Sequence, residues 1–177
     1  MSGGALDRNS IGNLITGNLK TGTPALVESY ISLDQQLQPN GFDLTLREAA
    51  HLDSPGSMGQ HPEDRALSST ETLAYDPAGW LQLGPGPHLV VFNEIVNLPL
   101  DLMALGRPRS SLLRSGVAIH TAVWDAGYRG RSQALLMVYH PQGFRVQRNA
   151  RLMQLVFYPL TQQASQGYQG RFLGENL

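Results

Sequence analysis

The sequence predicts an all-β domain, a barrel or jelly roll preceded by a short N-terminal helix, on three observations. Gly 19 and Pro 11 in 177 residues make a turn-rich chain, which suits many short strands better than a helical bundle. Short apolar or alternating segments recur along it, divided by glycine, proline or asparagine. Hydrophobic residues at 41% and charged residues at 15% describe a chain that buries a core rather than one that stays disordered.

The elements follow in order. Residues 1–5 read as a loose end. Ile11, Leu14, Ile15 and Leu19 share one face of a short amphipathic helix, with Asp7 or Ser10 as its cap, and Thr21-Gly22-Thr23-Pro24 ends it. Ala25–Leu33 and Phe42–Leu46 read as strands. Residues 51–70 are polar and rich in breakers, a surface loop or insertion. Trp80–Leu83 and His88–Phe92 flank a Gly-Pro-Gly-Pro turn. Val117–Trp124, Gln133–Tyr139, Phe144–Val146 and Leu152–Tyr158 are further strands, and 161–177 is a tail or lid. With no internal repeat and no linker, residues 1–177 form a single domain.

Charge is distributed unevenly. The net charge is −1, yet residues 1–101 hold four basic groups against twelve carboxylates. Residues 102–174 hold nine arginines, no lysine and one carboxylate, Asp125. Arginine without lysine suits forked recognition of phosphate or carboxylate, so the asymmetry points to an anionic ligand; arginines on exposed strand faces are the plainer alternative. Cys 0 excludes disulfides, thiol nucleophiles and cysteine-ligated zinc. His51, His61, His88, His120 and His140 show no HExxH spacing, and GxSxG, Walker and GxGxxG motifs are absent. No apolar run approaches the roughly 20 residues of a membrane span, and no basic segment precedes an apolar one at the N-terminus, so a cytoplasmic protein without membrane contact is expected. Aromatic residues do not interleave with the basic ones as a nucleic-acid stacking platform requires.

Three constellations carry candidate chemistry. Arg107-Pro108-Arg109-Ser110-Ser111-Leu112-Leu113-Arg114 combines guanidinium, hydroxyl and backbone N–H groups where a strand turns into a helix, a phosphate cradle; the alternative is a cap by Ser110 with Leu112 and Leu113 in the core. Asp125-Ala126-Gly127-Tyr128-Arg129-Gly130 reads as a hairpin with its aspartate at the rim, or simply as a turn. Gln154 is the one polar interior candidate of its strand.

The order of these pieces is more specific than any one of them. Pro39-Asn40-Gly41-Phe42-Asp43-Leu44, Asn93-Glu94 with Pro99, Arg109-Ser110-Ser111-Leu112, Trp124-Asp125 through Gly130, Ala150-Arg151 with Gln154-Leu155-Val156-Phe157, and Tyr168-Gln169-Gly170 together resemble the motif series of the dUTPase and dCTP deaminase superfamily, in its archaeal-type, dCTP-deaminase-like branch. The resemblance runs from the first helix to the C-terminus. It implies a distorted β-barrel and a homotrimer with active sites shared between subunits. It also implies that Arg109, Ser110, Ser111 and Arg114 hold a triphosphate. Tyr128 then packs beneath the deoxyribose, Gln154 lies near phosphates or base, and Tyr168 and Gln169 belong to a tail that folds over the nucleotide. Magnesium rides chiefly on the triphosphate, with Asp43 matching an aspartate near the metal or supporting the site.

Deaminases of the superfamily carry a glutamate on the strand after the hairpin; here Leu135 stands in its place and cannot move a proton. The resemblance therefore implies hydrolysis of dUTP to dUMP and pyrophosphate, with Asp125 as the base for in-line water attack on the α-phosphate. A dCTP deaminase or bifunctional deaminase-diphosphatase, and a non-catalytic deoxynucleotide-binding regulatory protein, are the alternatives.

Overall fold

The computed structural model describes residues 4–17 and 23–177. Its first half runs α1 (Arg8–Thr16), β1 (Val27–Glu28), α2 (Leu33–Gln36), β2 (Leu37–Gln38), β3 (Gly41–Leu52), β4 (Thr70–Thr72), β5 (Trp80–Leu83), β6 (Gly86–Phe92) and β7 (Ile95–Asn97). The second half runs β8 (Leu102–Pro108), α3 (Ser110–Arg114), β9 (Val117–His120), β10 (Val123–Trp124), β11 (Arg129–Gly130), β12 (Gln133–Val138), β13 (Phe144–Gln147) and β14 (Arg151–Pro159). The chain is mostly β, its main sheet curled into a half-barrel.

That sheet has the order β10-β8-β14-β3-β6-β12-β9, with β2 and β4 also paired to β3. β1-β7-β11 and β13-β5 form two smaller sheets. Every residue from Gly41 to Leu46 is buried, so β3 lacks the alternation of a half-solvated strand. Its first half pairs with β14 and its second with β6, the register shifting between Leu46 and Glu48. The extra residue, Arg47, lets one strand serve two neighbours. Phe42, Leu44, Leu46, Phe92, Leu136, Met153, Leu155 and Phe157 fill the core between them.

The first helix is as expected, and several later elements depart from the expectations. Asp7 caps α1, accepting from the backbone N–H groups of Asn9 and Ser10, and Ile11 and Ile15 are buried; Leu19 lies outside the described residues. Of Ala25–Leu33 only Val27–Glu28 is strand, because Leu33 begins a helical turn whose Gln36 side chain accepts from the Ile31 and Ser32 N–H groups. Val117–Trp124 is two strands: β9 pairs with β12, whereas β10 leaves to pair with β8. β8 has no counterpart among the predicted strands. Segment 51–70 is exposed over most of its length, but Leu52 pairs with Thr70, so its ends are strand around a short 3-10 turn at Pro62–Asp64.

Candidate active site

The first cluster forms where β3, β14 and β8 lie side by side. Asp43 pairs with Gln154, and Gln154 pairs in turn with Arg107, so the three side chains share one face of the sheet. The ladder slips between Arg151 and Met153. Asp43 is 1% exposed, and its Oδ2 accepts hydrogen bonds from Arg109 Nη1 and, at 3.4 Å, from Arg151 Nη1. Burial, and then the charge of Arg151, hold the Arg109 guanidinium below its ordinary pKa; arginine stays charged all the same. Beyond Arg109 the chain turns into α3. Its N-cap is Arg109 rather than Ser110, and no side chain caps the turn. Leu112 is buried but Leu113 is 60% exposed, so the alternative reading, a Ser110 cap with both leucines in the core, does not hold. Ser110, Ser111 and Arg114 are all exposed, around uncapped N–H groups.

Asp43 is therefore a clamp on two guanidinium groups, not an open metal ligand. Among the described residues no group of three or more His, Cys, Asp or Glu side chains could hold a metal ion. Magnesium keeps several waters and is ordinarily held by one or two carboxylates together with substrate phosphates, and the Asp43 carboxylate is already engaged by two guanidinium groups.

The second cluster surrounds Asp125. The expected hairpin is instead a wide arch: β10 on one side pairs with β8, and β11 on the other pairs with β7. One arm, β10, is the edge of the main sheet and the other, β11, belongs to the small β1-β7-β11 sheet, and the four residues between bridge them. Gly127 takes a φ of +81°, which only glycine adopts without strain, and its N–H donates to Leu98 O at 3.0 Å. Asp125 is exposed, and its carboxylate has no hydrogen bond or ion pair among the described residues. It lines a pocket of about 280 Å³ with Trp124, Tyr128, Ser132, Gln133, Tyr168, Phe172 and Glu175. Trp124 Nε1 donates to Ser132 Oγ at 2.5 Å, and the Tyr128 hydroxyl donates to Glu175 Oε1 at 2.7 Å. Burial is the main cause that raises the pKa of both the Tyr128 phenol and the Glu175 carboxyl.

The tail 161–177 lies over this pocket. Tyr168 meets Tyr128 edge to face at 5.9 Å between ring centroids, and its N–H donates to Ala126 O at 2.8 Å. Gln169 is exposed and outside the pocket lining. Glu175 has no motif to signal it, and Arg107 and Arg151 show their place only through cross-strand register.

One chain does not bring the two clusters together. Trp124, beside Asp125, faces Ala104 on β8, and Arg109 lies five residues further along. At about 3.3 Å per residue that is a separation of about 17 Å. Leu135 sits in β12 opposite Leu89 and His120, on the face that also carries Gln133.

Comparison with known proteins places the chain in a family. The dCTP deaminase-like domain family matches residues 16–160. A protein of Methanococcoides burtonii named "Probable deoxyuridine 5'-triphosphate nucleotidohydrolase" is 43% identical over 172 residues, covering 97% of this chain and 98% of its own. Proteins of the same name from Methanosarcina barkeri and Archaeoglobus fulgidus are 46% identical over 154 residues (87% of this chain, 90% of theirs) and 41% identical over 152 (86% and 89%). The fold resembles the crystal structure of 2'-deoxycytidine 5'-triphosphate deaminase from Agrobacterium tumefaciens, with a TM-score of 0.65 at 24% identity over 90% of this chain and 49% of that one. The family match over most of the chain, the archaeal relatives and the shared half-barrel lead to one conclusion: the chain belongs to the dCTP deaminase-like family of the dUTPase and dCTP deaminase superfamily.

Proposed function

We propose that this protein is a dUTP diphosphatase, releasing dUMP and pyrophosphate, with Asp125 as the general base. The activity follows the archaeal relatives that carry that name over nearly the whole chain. The observation that carries the assignment of the base is the state of Asp125: an exposed carboxylate without a partner among the described residues, at the rim of an aromatic-walled pocket. At about 280 Å³ the pocket is just below the usual range for small-ligand sites, room for a nucleoside rather than a whole triphosphate. The base and sugar enter it, the sugar against Tyr128, and the phosphates project outside.

Those phosphates need cations, and Arg109 of the same chain is about 17 Å away along β8. In our reading a neighbouring copy in a homotrimer supplies Arg109, Arg114, Ser110 and Ser111, with Gln154 beside them. Magnesium arrives as part of the substrate, bound to the triphosphate, where it neutralises phosphate charge. Asp125 removes a proton from a water molecule aligned with the α-phosphorus. The new P–O bond forms as the bond to the bridging oxygen breaks, and pyrophosphate leaves into the guanidinium cluster. Donors fixed in advance around the developing negative charge supply most of the acceleration in such a transfer.

Leu135 argues against deamination, since neither it nor its neighbours on β12 can carry a proton to a cytosine ring. The test is incubation with dUTP, dCTP and dTTP in the presence of magnesium, measuring pyrophosphate and ammonia separately. Pyrophosphate from dUTP without ammonia from dCTP is the expected result. Ammonia from dCTP overturns the reading in favour of the deaminase, and tight binding without product overturns it in favour of a regulatory nucleotide-binding protein.

A further inference from the structure

We infer that Glu175 is a positioning residue of the Asp125 pocket: carried in on the docked tail, its carboxylate seats the Tyr128 ring and, through Ser132, the Trp124 indole. The inference rests on the reading of that pocket as the substrate site.

The tail is fastened on either side of this contact. Gly174 N–H donates to Arg129 O at 2.7 Å, and Arg131 N–H donates to Glu175 O at 2.9 Å. Asn176 Nδ2 donates to Arg131 O at 2.9 Å. Shape matches as closely as hydrogen bonding. A Cβ added to Gly127 would stand 2.5 Å from Gly167 Cα, and one added to Gly130 would stand 2.7 Å from the Tyr128 hydroxyl and 3.1 Å from Glu175 Cγ. Arch and tail approach so closely that these positions have no room for a side chain.

The hydrogen-bond inventory then assigns Glu175 its role. The indole N–H of Trp124 is a donor only, and it is given to Ser132 Oγ. The single Tyr128 hydrogen goes to Glu175 Oε1, the shorter contact. The Tyr128 and Ser132 oxygens are 3.3 Å apart, and the hydrogen left to bridge them is that of Ser132. The chain Trp124, Ser132, Tyr128 therefore passes hydrogens in one direction and must end on an acceptor. Glu175 is that terminus. Tyr128 is 6% exposed and Trp124 4%, so water cannot readily replace it. Both rings line the pocket beside Asp125. The carboxylate thus acts on substrate through the rings it orients.

The test uses the full chain with Trp80→Phe, which leaves Trp124 as the only indole. Glu175→Ala is expected to raise the KM for dUTP roughly tenfold, the scale of one hydrogen bond to a charged group, with kcat changed less than about threefold. The same variant is expected to shift Trp124 emission to the red and increase its quenching by acrylamide. Glu175→Gln keeps an acceptor oxygen and should restore both readouts most of the way. Should Glu175→Ala fold poorly, a chain ending at Gly174 is measured in its place. Unchanged KM and emission overturn the inference, and so does a raised KM with unaltered emission, which would mean direct contact with substrate. Asp125→Asn, assayed alongside, separates the two readings: full turnover there sinks the site itself, whereas lost turnover with an inert Glu175→Ala sinks only the positioning role.

Discussion

Arg109 donates to the buried Oδ2 of Asp43 across 66 residues of sequence, and Arg151 shares the same oxygen. In the proposed site, a guanidinium held in this way is oriented before the substrate's phosphates arrive, which lowers the ordering cost of binding. Asp43→Asn is expected to raise the KM for dUTP roughly tenfold and to lower stability by about 1–3 kcal/mol, because it weakens a charge-assisted contact in a buried setting. The magnesium concentration for half-maximal activity should stay as in the unsubstituted protein. A large shift in that midpoint would return Asp43 to the role of metal ligand. Steady-state kinetics at several magnesium concentrations measure both quantities.

Glu94 is fully buried, and its carboxyl receives Thr45 N–H at 2.8 Å, Thr45 Oγ1–H at 2.5 Å and Gln36 Nε2–H at 2.7 Å. Burial raises its pKa, opposed by those three donors. The folded state therefore keeps a proton over a pH range in which the unfolded chain has lost it. Its contribution to stability is complete below the ordinary carboxylate value and declines as pH rises to the folded value. Melting temperature should fall across that window, and Glu94→Gln should flatten its part of the decline. The substitution should also cost about 1–3 kcal/mol, since either orientation of the amide sets an N–H against a donor. Thermal melts from pH 4 upward check both.

Gly127 stands at positive φ with its Cα against the tail. Gly127→Ala is expected to destabilise the arch by about 1 kcal/mol or more and to loosen the tail. Trypsin cleavage after the exposed Arg171 should accelerate several-fold, and a saturating non-hydrolysable dUTP analogue should slow it again. Cleavage at an unchanged rate would show that arch and tail are not coupled.

If each site joins the Arg109 cluster of one copy to the Asp125 pocket of its neighbour, two inactive variants should rescue each other. Arg109→Ala and Asp125→Asn chains, unfolded together in equal amounts and refolded, should recover about a quarter of the original activity, the share of sites that random mixing leaves with both groups. Sites complete within one chain would give no recovery. Alone, Asp125→Asn should lose turnover by orders of magnitude with nucleotide affinity nearly unchanged.

Legibility in the sequence follows locality. Trp80–Leu83 is a strand as read, and Asp7 caps α1 as its position before an apolar helical stripe suggests. β8 is hidden because Leu102, Met103, Ala104 and Leu105 show no period of two and are followed by Gly106 and Pro108; seven register pairs with β14 make it a strand. The arch reads as a hairpin because pairing of β10 and β11 with distant strands leaves no mark on the five residues around Asp125. The arginine-serine segment and the aspartate loop stand out as composition, but the contacts that organise them do not. Asp43 with Arg109 and Tyr128 with Glu175, the latter 47 residues apart, are set by register and tail docking rather than by spacing.

Because β3 divides its length between β14 and β6, neither side of the half-barrel can be completed without it. Asp43 and Arg151, 108 residues apart, must meet before the first half of the strand is satisfied. Such distant closures place the protein among slow folders, on millisecond-to-second timescales, and disfavour a stable half-formed state. The bend at Arg47 thus joins the Arg109 end of the molecule to its far side in a single cooperative transition, so a lesion in either half should unfold both at the same denaturant concentration.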